Sequence, residues 1–139
     1  MLSLQGYPLK APDLTDEHVQ HVAYLLPQLQ VLRLLLRLQL SISALIYLGK
    51  HCRQMTYCNV GGSFDLVALD EESECLFPLL RSLNVRKMVH EVHTTVEHVA
   101  AVVHRHMPLL ICFLAKVRSD FDKAVLEAVR GMRAAEHST

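Results

Sequence analysis

Tryptophan is absent from the 139 residues, and aromatic residues make up only 6% of them. The core therefore has to be built from aliphatic side chains, which favours packed helices over a β-sandwich. Net charge is also absent, because 14 basic residues balance 14 acidic ones. Strong nucleic-acid binding depends on neutralising several phosphates, so we expect no nucleic-acid partner.

The chain also lacks a charge-free hydrophobic run of the roughly 18 residues that indicates a transmembrane helix. The two most apolar segments are residues 31–48 and 99–117. The first contains Arg33 and Arg37, and the second contains Arg105. We interpret both segments as buried core helices, and membrane contact is an alternative that is not favoured. The first residues lack the basic and apolar regions of a secretory signal.

The chain also lacks the usual zinc-binding spacing, in which two to four residues separate paired cysteines. The four cysteines are Cys52, Cys58, Cys75 and Cys112. We interpret them as free thiols rather than a disulfide framework. Free thiols predict an intracellular reducing compartment, which is the cytoplasm, the nucleus or the mitochondrial matrix.

Apolar residues are abundant, at 51% of the chain, and they recur at steps of three and four between residues 85 and 110. This spacing predicts one long amphipathic helix. The apolar seam of that helix consists of Val85, Val89, Val92, Val96, Val99, Val103, Met107 and Leu110. Another face of the same helix carries a polar stripe of His90, His93, Glu97 and His104.

Three further segments also favour helices. Thr15 is predicted to cap a first helix and Ser119 to cap the last one. Residues 28–55 are apolar around most of a helical circumference, which predicts a buried central helix. The turn residues within 57–70 predict the main loop.

The predicted fold is therefore all-α, an irregular antiparallel bundle of four to five helices with one mid-chain loop. Residues 1–13 are interpreted as an irregular lead-in and residues 14–137 as a single helical domain. We find no internal repeat at the periods of solenoid proteins.

A metal site is the first candidate for chemistry, because His90, His93 and Glu97 lie at positions i, i+3 and i+7 of the predicted helix. Imidazole and carboxylate groups on one face can bind zinc or a di-iron centre. No single helix supplies a full ligand set, so we predict no metal and no cofactor. A metal-binding helical-bundle enzyme remains an alternative.

Catalysis is not predicted, since the chain contains no nucleophile elbow and no phosphate-binding loop. The apolar excess instead indicates surfaces that other proteins cover. We therefore expect a non-catalytic structural or adaptor subunit of a larger assembly, which binds other protein subunits through apolar helix faces. The predicted partner-binding residues are Arg33, Arg37, His90, His93, Glu97 and His104. A membrane-associated small subunit of an organellar complex is the other alternative.

Overall fold

Strands and helices alternate along the chain in a computed structural model, which describes residues 2–5, 15–34 and 40–137. The strands are β1 (Leu2–Gln5), β2 (Leu29–Leu34), β3 (Tyr57–Phe64), β4 (Ser82–Met88) and β5 (Cys112–Leu114). The helices are α1 (Asp16–Leu25), α2 (Ile42–His51), the 3₁₀ helix η1 (Leu66–Glu71), α3 (Val96–His106) and α4 (Asp120–His137).

The five described strands form one parallel sheet in chain order, β1-β2-β3-β4-β5. The helices form a row in the same order, because α1 packs on α2, α2 on η1, η1 on α3 and α3 on α4. Crossovers of one hand between successive neighbouring strands place every helix on the same face of the sheet. The all-α bundle predicted from the sequence is therefore wrong, and the fold is mixed α/β with two layers.

The strand–helix unit is a structural repeat. Leu32 pairs with Cys58, Cys58 with Leu83, and Leu83 with Phe113, at steps of 26, 25 and 30 residues. All four side chains are buried on the helix side of the sheet. The inference from the sequence that no such repeat exists is therefore wrong.

Buried or partly buried side chains in the last four units follow a common spacing, apolar-x-x-apolar-x-apolar. The members are Leu29, Leu32 and Leu34; Met55, Cys58 and Val60; Leu80, Leu83 and Val85; and Leu110, Phe113 and Ala115. Successive side chains of a strand point to opposite faces, so the residue between the second and third apolar positions points away from the helices. This alternation positions the candidate site described below.

The first half of the predicted seam helix over residues 85–110 is β4 and a loop. Val85 is buried in the sheet whereas Val92 is 96% exposed, so the valines do not form one seam. Only α3 is helical, and there Val99 and Val103 are buried as predicted. The prediction failed because valines on a strand and on the loop after it happened to match helical spacing.

Two other predicted elements are also replaced. Residues 28–55 contain β2 and α2 instead of one helix, and the predicted loop over residues 57–70 contains β3 and most of η1. A short apolar run is compatible with a strand as well as with a buried helix, and periodicity alone cannot tell the two apart. The predicted lead-in over residues 1–13 contains β1, and its residues 6–13 lie outside the described part.

Both predicted helix caps are confirmed. α1 begins directly after Thr15, whose backbone N–H donates to His18 Nδ1 at 3.2 Å. α4 begins directly after Ser119, whose Oγ accepts a hydrogen bond from the Asp122 N–H at 3.2 Å. These caps are local features, which explains why the sequence revealed them.

Candidate functional site

The sheet face opposite the helices is uncovered by any described helix or strand, and we name it the open face. Two rows of side chains cross it at matched register positions. Val31, Tyr57, Ser82 and Cys112 form one row, and Arg33, Asn59, Asn84 and Leu114 form the next. Leu114, at the edge of the sheet, is 43% exposed. The open face is therefore a mostly polar surface built from equivalent positions of successive units.

The strands that form the open face carry charge of one sign. The described strands contain no Asp or Glu, whereas Arg33 lies in β2 and Arg86 in β4. Lys116 follows β5, and its backbone N–H donates to the Arg86 carbonyl at 3.1 Å, which continues the ladder. Arg86 and Lys116 are both exposed and lie two residues beyond the Asn84 row. Three cations therefore lie on a surface without a carboxylate in its strands.

Arg33 is held in place by an aromatic neighbour in the next unit. Its guanidinium carbon lies 5.0 Å from the centroid of the Tyr57 ring. Such a cation–π contact contributes about 0.5–2 kcal/mol, depending on exposure. The Tyr57 hydroxyl accepts a hydrogen bond from Asn59 Nδ2 at 3.5 Å. The three residues form a connected polar group on the open face.

Arg33 Nε is buried and has no hydrogen-bond partner among the described residues. A buried donor without a partner costs about 1–3 kcal/mol relative to a satisfied one. The guanidinium therefore offers donors to a ligand without first breaking a described hydrogen bond.

Several basic residues away from the open face are engaged. Lys50 pairs with Glu72 at 3.3 Å, and Arg105 pairs with Asp70 at 2.7 Å. Arg53 donates to the Cys75 carbonyl and Arg118 to the Met88 carbonyl. By contrast, Arg33, Arg86 and Lys116 form no ion pair with any acidic side chain in the described part of the chain.

The residues predicted as a histidine stripe do not share one helix. His90 and His93 precede α3, and only Glu97 and His104 lie on it. His93 and Glu97 are exposed. His90 is instead packed inward, with Nε2 3.0 Å from Asp122 Oδ1 and its ring 4.4 Å from the Phe121 ring.

The structure describes only one of the two arginines that were predicted to bind a partner. Arg33 lies on the open face, and Arg37 lies outside the described residues. The described side chains contain no group of three or more His, Cys, Asp or Glu placed to hold a metal ion. His90, the first of the predicted metal ligands, has one ring nitrogen bonded to Asp122.

Sequence reasoning missed Tyr57, Asn59, Asn84, Arg86 and Lys116. The signal that could have found the row of Arg33, Asn59 and Asn84 is the apolar-x-x-apolar-x-apolar spacing. Each of those three residues stands between the second and third apolar positions of its own unit. Recognising the repeat would have aligned them across one sheet.

The buried cysteines are poorly suited to nucleophilic chemistry. Burial raises the pKa of the Cys52 thiol to about 11, and burial together with the neighbouring Cys52 raises the pKa of Cys58 to about 12. The reactive form of cysteine is the thiolate, which these shifts suppress at neutral pH. Cys75 and Cys112 are also unbridged.

Comparison with known proteins gives no family assignment, because no family model matches the chain and no curated protein matches it. Among the described helices, none combines the length and the hydropathy that crossing a membrane requires.

Proposed function

We propose that the chain is a non-catalytic adaptor or structural subunit of a multi-protein assembly and that it binds a protein partner on the open face. The observation that carries this proposal is the connected group of Arg33, Tyr57 and Asn59 on an uncovered sheet face. Tyrosine and arginine are among the residue types enriched at the energetic centres of protein interfaces. Asn59 and Asn84 add donors and acceptors for a partner's backbone.

The architecture supports the same function. The repeat length and the Leu-x-x-Leu-x-Leu spacing of the Leu29 unit resemble those of leucine-rich repeats, whose units span about 20–29 residues. Stacked repeats of this kind present extended surfaces to their partners. The likeness is one of architecture, so the function is argued from the open face itself.

The apolar faces of the helices are less suited to partner binding. Val99 and Val103 of α3 and Val125 of α4 are buried against neighbouring elements. A partner cannot contact these side chains without unfolding the helix layer. We therefore place the partner on the open face and not on the apolar helix faces.

We further propose that this assembly lies in a reducing compartment of the cell. All four thiols are free, and Cys112 is exposed on the open face. Such a thiol persists where glutathione and thioredoxin keep cysteines reduced. Titration of thiols in protein isolated from its native cells under denaturing conditions should give four per chain, and two would contradict the compartment.

Site-specific photo-crosslinking tests the position of the partner. A photoreactive amino acid replaces Asn84 on the open face, and the matched control carries it at Glu127, an exposed position on α4. We expect Asn84 to form an adduct with one defined protein in cells, identified by mass spectrometry, and Glu127 not to form that adduct. No adduct from Asn84, or the same adduct from both positions, would contradict the proposal.

A further inference from the structure

We propose that the partner segment on the open face is an acidic, Asp- and Glu-rich stretch of polypeptide lying across β2 to β5. This inference rests on the proposed function and adds the chemistry of the partner. Its basis is charge complementarity. The open face presents Arg33, Arg86 and Lys116, its strands hold no carboxylate, and none of the three cations has an acidic partner among the described residues.

The positions of the three cations fit a short extended segment. Arg33 in β2 shares a row with Asn84 in β4, which is two strands away. Arg86 lies two residues beyond Asn84 on the same strand. With strand spacings of about 4.8 Å and rises of about 3.3 Å, their backbones lie about 12 Å apart. Lys116 lies one strand further, next to Arg86. An extended segment of about four to six residues spans these charges.

The chemistry of the Arg33 group favours carboxylates. A guanidinium presents a planar set of donors that matches a carboxylate in bidentate geometry. The Tyr57 ring fixes the orientation of that plane at 5.0 Å, which lowers the entropy lost when the pair forms. Asn59 and Asn84, in the same row, are placed to hydrogen-bond the peptide groups between the acidic side chains.

The same group is a poor fit for single-stranded nucleic acid. Proteins that bind such strands stack successive bases on free aromatic faces. Tyr57 is the sole aromatic residue in the open-face rows of β2 to β5, and one face of its ring is covered by Arg33. The observations therefore favour a polypeptide over an oligonucleotide.

Fluorescence anisotropy with defined probes tests the inference. One labelled 12-residue peptide contains Glu at alternate positions, and the matched peptide contains Gln there. The open-face variant Arg86→Gln/Lys116→Gln is compared with Lys123→Gln/Arg130→Gln, which removes the same charge from exposed positions on α4. We expect the wild type to bind the Glu peptide and the open-face variant to lose about tenfold or more in affinity. The α4 variant should stay within about twofold, because α4 belongs to the helix layer on the other side of the sheet from the bound peptide.

Arg33→Gln provides a third variant, and its loss of affinity should persist at about 200 mM salt because Arg33 is partly buried. Equal binding of the Gln peptide, or an equal loss in the α4 variant, would overturn the inference. Tighter binding of a 12-nucleotide oligouridine or of phosphatidylserine vesicles would overturn it as well. If Asn84 crosslinks to a partner while the Glu peptide fails to bind, the proposed function stands and only the acidic character of the partner is wrong. If the partner crosslinks only elsewhere, the proposed function itself is wrong.

Discussion

His90 Nε2 lies 3.0 Å from Asp122 Oδ1, and this contact joins the loop after β4 to the first turn of α4. The Asp122 side chain is almost fully buried. Its second oxygen accepts a hydrogen bond from the Arg118 backbone N–H at 3.0 Å. One carboxylate therefore fixes the start of the last helix against the preceding unit.

Replacement of that carboxylate should be costly. We expect Asp122→Ala to lower the free energy of unfolding by about 1–3 kcal/mol, because two donors lose their acceptor in a buried site. Asp120→Ala is the matched control, since Asp120 lies in the same first turn but is exposed. It should cost at most about 1 kcal/mol through the helix dipole. Urea unfolding measures both changes, and equal losses would contradict this role of Asp122.

Stability should depend on pH through His106. This side chain is buried, and its Nδ1 accepts a hydrogen bond from the Leu76 N–H at 3.2 Å. Burial, and secondarily the charge of Arg105, lowers the pKa of His106 from its ordinary value of 6.5. Below pH 6.5 the unfolded chain therefore takes up a proton that the folded chain does not. This contribution to stability is complete above pH 6.5 and is lost as the pH falls toward the folded pKa.

The test compares the free energy of unfolding at about pH 7.5 and 5.5 for the wild type, His106→Gln and His93→Gln. Stability should fall less steeply on acidification in His106→Gln than in the wild type. His93 is exposed and serves as the control, whose variant should keep the wild-type slope. Parallel slopes in all three proteins would show that His106 does not govern the acid sensitivity.

Gly62 should not tolerate a side chain. Its φ is +139°, and a Cβ placed there would lie 2.6 Å from the Leu40 carbonyl oxygen. We expect Gly62→Ala to destabilise the protein by more than about 1 kcal/mol, since both backbone strain and a steric clash oppose it. Gly131→Ala is the control in α4, where a Cβ meets nothing within 4 Å. It should raise stability by up to about 1 kcal/mol through helix propensity. Thermal unfolding of both variants distinguishes them by sign.

The two faces of β4 should respond differently to truncation. Leu83 is fully buried between the sheet and the helices, whereas its neighbour Asn84 lies on the open face. Leu83→Ala should cost about 2–5 kcal/mol through lost burial and a cavity. Asn84→Ala should change stability by about 0.5 kcal/mol or less. A large effect of Asn84→Ala in urea unfolding would mean that the open face belongs to the core.

The sequence predicted the N-termini of two helices correctly, whereas it did not predict the sheet. Thr15 and Ser119 mark helix starts through hydrogen bonds within the first turn, and such caps do not depend on the fold that surrounds the helix. Residues 28–55 were predicted as one central helix because the segment Leu29–Leu34 is apolar apart from Gln30 and Arg33. A short run of that kind fits a buried helix as well as a β-strand.

The candidate site was partly predictable. Arg33 was selected because it interrupts an apolar segment, and the structure places it on the open face. Its neighbours Tyr57 and Asn59 come from a segment interpreted as a loop, so no local pattern connected them with it. Their proximity depends on parallel pairing between residues 26 positions apart, as between Arg33 and Asn59, which only the repeat spacing encodes.

The in-order arrangement of strands has a consequence for how the chain responds to perturbation. The main contacts of each unit are with the units beside it, as in the packing of α1 on α2 and of α3 on α4. Cooperativity in such an array is one-dimensional, and it is transmitted through neighbour interfaces. A change in α1 therefore reaches α4 only by way of the intervening units, and its influence on amide exchange should decay along the array.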